Sequence, residues 1–178
     1  MVIQSGYTGP RRSLIERAIA AARLDSGAFE EVEADVTATP QAAAIVVVSA
    51  LAQAFASSKG LWAAPLSICG ALFGWLAWSV IAYFVGVKLF KGTATVGELL
   101  RTLGFAQAPG VLYILGAVPV LRWFVAPVVG VWILIAGIIA LRQALDIDTW
   151  KAVVTGIIGW CLLIIPMLIV YGMLSLFF

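Results

Sequence analysis

The sequence predicts an all-α integral membrane protein: a bundle of five transmembrane helices, with an amphipathic helix near the N-terminus and a short interfacial helix before a kinked third membrane helix. Three observations support this prediction. Hydrophobic residues make up 63% of the 178 residues and charged residues only 11%, against about 25% charged residues in an average soluble domain. Five apolar blocks approach or exceed the roughly 20 residues that cross a bilayer as a helix, and the charges between them are unevenly distributed. The blocks cover residues 42–58, 61–89, 107–121, 123–141 and 152–178.

The distribution of charge predicts the orientation. If every block crosses, all nine acidic residues and nine of the eleven Lys and Arg residues lie on one side, and only Lys59 and Arg122 lie on the other. The positive-inside rule assigns the basic side to the cytoplasm. We therefore expect a multi-pass protein of the inner cell membrane, with its N-terminus in the cytoplasm and its C-terminus on the outer, periplasmic side. The basic residues follow membrane sidedness and form no stripe interleaved with aromatic residues, so no nucleic-acid partner is expected.

Residues 1–40 are predicted to be a cytoplasmic segment that precedes a membrane domain over residues 41–178. Pro10 opens a helical pattern whose apolar positions recur at helical spacing: Leu14, Ile15, Ala18, Ile19 and Ala22. Such a helix either lies on the anionic inner leaflet or packs on loops of the protein itself. A second, acidic pattern follows and contains the cluster Glu30, Glu31, Glu33 and Asp35. Thr39 and Pro40 then predict the start of the first membrane helix.

The second and third blocks are joined by a polar stretch. Lys88 lies near the end of the second block, and Lys91 lies in the turn that follows. Thr95 and Glu98 have the spacing of a capping box. We therefore predict a short helix that begins at Thr95 and lies along the cytoplasmic interface.

The third block is interrupted by four helix-breaking residues: Pro109, Gly110, Gly116 and Pro119. It is predicted either to span the membrane as a kinked helix or to form half of a hairpin with the fourth block, meeting it at residues 121–123. Irregular backbone at membrane depth is tolerated only where protein or water covers it. Neighbouring helices should therefore shield this block.

The composition argues against catalysis. The chain contains no histidine, and no carboxylate falls inside an apolar block, which excludes His-liganded metal sites and His-dependent nucleophilic catalysis. Cys69 and Cys161 lie far apart in apolar blocks. We therefore expect no enzymatic activity, no metal and no cofactor.

Transport is the second hypothesis. Ser49, Gln53, Gln107 and Thr155 are polar residues within the blocks, as in a small passive permease or channel, but neutral groups of this kind also form ordinary interhelical hydrogen bonds. A membrane-embedded enzyme is the third hypothesis.

Contacts are indicated by two further features. Gly70 and Gly74 have the small-xxx-small spacing of closely packed membrane helices, either within the bundle of the chain itself or between two copies. The acidic cluster is opposite in charge to the loop that carries Lys88, Lys91 and Arg101. We hypothesise that the N-terminal segment folds back on this loop and that their joint surface meets a partner; the alternative is that the charges are independently solvated.

The run from Gly92 to Pro109, with its element Gly104-Phe105-x-x-x-Pro109, resembles the signature of the Yip family, the Ypt/Rab-interacting proteins and their prokaryotic relatives. The resemblance covers residues 28–178 and implies a polar cytoplasmic N-terminus and five membrane helices. Eukaryotic relatives carry an Asp-Leu-x-Gly-Pro type motif before the first helix, of which only Pro40 remains here. The chain is therefore similar to the prokaryotic branch, and binding of a Rab-type GTPase is not implied.

The resemblance and the composition together predict a non-catalytic membrane protein that acts as an adaptor, a membrane organiser or an accessory subunit of a membrane complex. Its expected partners are membrane lipids, other membrane proteins and a second copy of the chain. The family-motif candidates for these contacts are Gly92, Glu98, Arg101, Gly104, Phe105, Gln107 and Pro109.

Overall fold

The computed structural model describes residues 12–57, 62 and 64–174, and every regular element in these residues is helical. The α-helices are α1 (Leu14–Ala22), α2 (Ser26–Ala34), α3 (Thr39–Ala56), α4 (Ala64–Tyr83), α5 (Val96–Phe105), α6 (Pro119–Leu145) and α7 (Thr149–Leu174). A single 3₁₀ turn, Val36–Ala38, precedes α3, and a π-helical turn, Phe84–Leu89, extends α4. A longer 3₁₀ helix, Ala108–Ala117, lies between α5 and α6. Pro10, at which the first helical pattern was predicted to begin, and Lys59 fall outside the described residues.

Among the described residues, three helical segments are long and apolar enough to cross a membrane: Val36–Ala56, Ala64–Leu89 and Pro119–Leu145. The prediction of an all-helical membrane protein is thus confirmed for the described part of the chain. The 3₁₀ helix has ten residues and is about 20 Å long, less than the roughly 30 Å of a hydrocarbon core. The count of five crossings therefore stays a prediction.

Five segments form a ring in which each contacts the next, in the order α3, 3₁₀ helix, α6, α7, α4 and back to α3. At one end of this ring, α5 packs on α3, α4 and α6, and α2 covers α5 and the adjacent part of α6. We call this end, which comprises α2, α5 and the turn between α6 and α7, the polar end. The opposite end carries the turn at Val118.

The third apolar block differs from the predicted kinked α-helix. Residues 108–117 form one 3₁₀ helix packed on α3 and α6. The approach to α3 is close, because a Cβ atom built on Gly110 would lie 2.6 Å from the Ser49 Oγ, and the narrower 3₁₀ coil suits it. The chain reverses at Val118, before the predicted meeting point at residues 121–123, which lie in the first turn of α6.

Candidate interaction site

Helix α5 forms the core of the polar end. The predicted capping box is confirmed: the Glu98 backbone N–H donates to the Thr95 Oγ1 (3.2 Å), and the Thr95 N–H donates to the Glu98 Oε2 (2.7 Å). Its placement along the cytoplasmic interface stays a prediction. Leu99 and Phe105 are fully buried, and α5 contacts α2, α3, α4 and α6. The buried side of α5 also includes Arg101, Thr102 and Gly104.

The candidate residues Gly104, Gln107 and Pro109 hold the chain against α3. A Cβ atom on Gly104 would lie 2.6 Å from the Ala42 Cβ, so only glycine allows this approach of the two helices. The Gln107 carbonyl accepts a hydrogen bond from the Ser49 Oγ (2.8 Å), and Pro109 is buried. The structure thus gives these motif residues a packing role.

Gly92 performs a similar role at the end of α6. A Cβ atom there would lie 2.7 Å from the Leu145 carbonyl oxygen. The neighbouring Thr93 donates its backbone N–H to the same oxygen (3.2 Å) and its hydroxyl to the Asp146 carboxylate (2.8 Å). These contacts fix the turn after α4 to the turn after α6.

Arg101 joins α5 to the N-terminal segment. Its side chain is buried, and its guanidinium donates to the carbonyls of Val32 (3.0 Å) and Glu33 (3.1 Å) at the carboxyl end of α2, where the helix dipole favours a cation. Burial lowers the pKa of Arg101, whereas the carboxylates of Glu98 and Glu33 act in the opposite direction. The predicted fold-back is therefore present, but it rests on backbone carbonyls rather than on the acidic side chains.

The second anchor of the N-terminal segment is Arg17, which the sequence analysis missed. Its side chain is 3% exposed and its Nε donates to the Glu31 Oε1 at 2.9 Å, while its Nη1 donates to the Asp35 Oδ2 at 2.9 Å and to the Gln41 Oε1 at 3.2 Å. Burial alone would lower the pKa of Arg17, but the hydrogen bonds and charges of Asp35 and Glu31 outweigh it and raise the pKa. One signal was available: Glu31 and Asp35 are four residues apart and therefore share one face of a helical segment.

The remaining charged candidates do not pair as predicted. Glu30 is exposed and accepts a hydrogen bond from the Gln143 Nε2 (2.7 Å). Burial raises the pKa of Glu33 to about 7, and the negative charges of Glu98 and Asp146 add to this effect. Lys88 and Lys91 are exposed, and within the described residues neither forms an ion pair.

Helix α1 turns its large apolar residues outward. Leu14, Ile15 and Ile19 are exposed, with Ile15 at 68%, whereas Arg17 and Ala21 face the protein. We call the three exposed residues the N-terminal stripe. The alternative in which they pack on loops of the chain is therefore not found within the described residues. The Trp132 Nε1 donates to the Ala22 carbonyl (2.7 Å) and fixes the end of α1 to α6.

Gly70 and Gly74 of α4 also lie on an uncovered surface. A Cβ atom on either would meet nothing within 4 Å, so the described part of the chain does not use this pair to close its own bundle. A contact between two copies through these glycines stays a prediction.

The polar residues of the apolar blocks form no chemical site in the described part of the chain. Ser49 bonds to the Gln107 carbonyl, Gln53 is exposed, and Thr155 is fully buried with an unpartnered hydroxyl. Among the described residues, no group of three or more His, Cys, Asp or Glu side chains could hold a metal ion. The residues that the structure brings together thus hold helices in place and present a surface.

A family model described as the Yip1 domain matches residues 27–172. The match begins in α2 and ends in α7, so that α1 and the N-terminal stripe precede it. Comparison with curated proteins and with solved structures found no match.

Proposed function

Because this chain belongs to the Yip1 domain family, we propose that it is a non-catalytic membrane protein that acts through protein and lipid contacts, as an adaptor, membrane organiser or accessory subunit. The observation that carries the proposal is the N-terminal hairpin, α1 and α2. Arg17 holds α1 to α2, and Arg101 holds α2 to the membrane domain. Because α1 is fixed to α2 and α2 is fixed to the membrane domain, the N-terminal stripe is kept in a defined orientation. A preorganised surface of this kind favours recognition of a partner.

We propose that the protein lies in the inner membrane and that its polar end faces the cytoplasm. The support is the sequence: nine of the eleven Lys and Arg residues, Arg17 and Arg101 among them, fall on this side of the predicted topology, and basic residues accumulate on the cytoplasmic side of membrane proteins.

A permease receives less support from the described residues. Ser49 and Ser79 donate to carbonyls of the chain itself, and the groove between the 3₁₀ helix and α6 is lined by apolar side chains. A water-filled pathway would instead need polar groups directed into a shared passage.

Site-specific crosslinking in native membranes tests the proposal. A photoreactive amino acid is placed at Ile15 or Ile19 in the N-terminal stripe and, as a matched control, at the exposed Arg23, which caps the carboxyl end of the same helix. We expect one partner of defined mass to be crosslinked from the stripe and not from the control, and Arg101→Ala to abolish the crosslink because it releases α2.

A chain that crosslinks only to lipid or to itself at every position would contradict the adaptor proposal. If, in addition, solute flux into liposomes depended on Gln107 and not on Arg101, the permease hypothesis would replace it.

A further inference from the structure

A shallow groove runs along the outer surface of the ring between the 3₁₀ helix and α6. Its volume is about 200 Å³, and the seven side chains that line it are all apolar, with Leu112 and Leu115 on one wall and Val125, Val129 and Trp132 on the other. Since α6 is one of the candidate membrane spans, this groove opens towards lipid rather than towards water.

Arg122 lies at one end of the groove. It precedes Val125, Val129 and Trp132 by three, seven and ten residues and therefore shares their face of α6. Its Nε donates to the Gly116 carbonyl of the 3₁₀ helix at 3.3 Å, which joins the guanidinium to both of the elements that form the groove. A guanidinium has five N–H donors, and no other hydrogen bond or ion pair of Arg122 is present within the described residues.

The other end of the groove is closed by Trp132, whose indole N–H bonds to the Ala22 carbonyl of α1. The ten residues from Arg122 to Trp132 correspond to about 15 Å along an α-helix. This length is about half of the roughly 30 Å hydrocarbon core, which is the depth that the acyl chain of one leaflet occupies.

Among the described residues, no carboxylate forms an ion pair with Arg122 at the cationic end of the groove. All nine acidic residues precede residue 99 or follow residue 145, and Glu98 and Asp146 among them belong to the polar end. A fixed guanidinium binds a phosphate oxygen well. We propose that a phospholipid of the leaflet opposite the polar end binds here, with its phosphate on Arg122 and one acyl chain in the groove.

This inference rests only on the chain being in a membrane, and not on a partner at the N-terminal stripe. Native mass spectrometry tests it on the full chain extracted from vesicles that contain phosphatidylcholine and phosphatidylglycerol. Arg122→Gln removes the charge. Val128→Trp fills the groove from a wall position that is 60% exposed, so that the larger side chain is accommodated without repacking a core.

Two matched controls are available. Lys88→Gln removes an exposed cation at the polar end, and Val131→Trp places the same bulk at a 56% exposed position of α6 outside the groove. We expect the population that retains one bound phospholipid to fall at least about tenfold in both groove variants and to stay within about twofold of the wild type in both controls.

Equal retention in Arg122→Gln, Val128→Trp and the wild type would overturn the proposal, as would an equal loss in Lys88→Gln. Two probes identify the ligand chemistry. Diacylglycerol, which lacks a phosphate, should not be retained, and inorganic phosphate should not displace the bound lipid; either opposite result would show that the groove does not recognise a phospholipid as one unit.

Discussion

Replacement of Arg17 by methionine provides the most direct test of how the N-terminal hairpin is held. Methionine keeps most of the aliphatic stem but removes the guanidinium, so Glu31, which is only 2% exposed, loses its closest charged partner. The Glu31 Oε1 keeps a hydrogen bond from the Arg12 backbone N–H, and its Oε2, which accepts no hydrogen bond, keeps the longer ion pair with the half-exposed Arg12 Nε at 3.7 Å. Breaking a buried ion pair from one side costs about 3–5 kcal/mol.

This cost should appear as local opening of the hairpin, because Arg17, Arg101 and Trp132 supply hydrogen bonds between the hairpin and the membrane domain, beside the apolar contacts of the buried Phe29 and Val32. Hydrogen exchange of the backbone amides of α2 measures that opening directly. A loss of about 3–5 kcal/mol corresponds to exchange that is faster by roughly two to almost four orders of magnitude.

Two further variants separate the ion pair from other causes. Lys151→Met removes one partner of an exposed pair at 3.8 Å, worth about 0–1 kcal/mol, and should leave the exchange of α2 unchanged. Arg17→Met combined with Glu31→Met removes the two charges that are almost fully buried and should restore part of the protection, since Asp35, which also loses Arg17, is 9% exposed and keeps two hydrogen bonds from Thr37. Exchange within tenfold of the wild type in Arg17→Met, or no recovery in the double variant, would refute the reasoning.

Three shorter predictions follow from other contacts. The pKa of Glu33 is raised from 4.5 to about 7, so the docked hairpin binds the Glu33 proton more tightly than the undocked hairpin does. Docking should therefore strengthen as the pH falls through about 7. Limited proteolysis at several pH values measures this dependence, and Glu33→Gln should abolish it. Gly104→Ala forces a contact with backbone atoms of α3 and should lower the melting temperature through a cost of about 1–3 kcal/mol, whereas Gly70→Ala, which meets open space, should not. Trp75→Phe removes the hydrogen bond from its indole to the Leu100 carbonyl (2.9 Å) and should destabilise the protein by about 1 kcal/mol in the same thermal assay.

The features that the sequence revealed are those encoded by neighbouring residues. The capping box of Thr95 and Glu98 depends on a spacing of three residues, and both of its hydrogen bonds are present. A second capping box, of Ser13 and Glu16, has the same spacing and could have been predicted in the same way. This second box fixes Leu14 as the first residue of α1.

The features that the sequence did not reveal depend on segments far apart in the chain. The burial of Arg17 requires carboxylates 14 and 18 residues away, and the docking of Arg101 requires carbonyls almost 70 residues away. The glycines that pack within the bundle were missed for a similar reason: Gly70 and Gly74 have the spacing of a packing motif but meet nothing within 4 Å, whereas Gly104 and Gly110 are among the glycines that make close approaches. The spacing of glycines along a helix identifies a face without large side chains, but it does not identify the segment that packs against that face.

The three-residue period of the 3₁₀ helix limits which insertions and deletions this region can accept. Three residues per turn place Gly110, Tyr113 and Gly116 in one row. Gly110 and Gly116 lie against α3, and the Tyr113 hydroxyl approaches Gly130 of α6. One inserted residue would rotate everything beyond it by about 120° and bring a side chain from another row into the place of Gly116. An insertion of three residues would instead restore the row and only lengthen the segment by about 6 Å, so viable length variants of this region should differ by multiples of three.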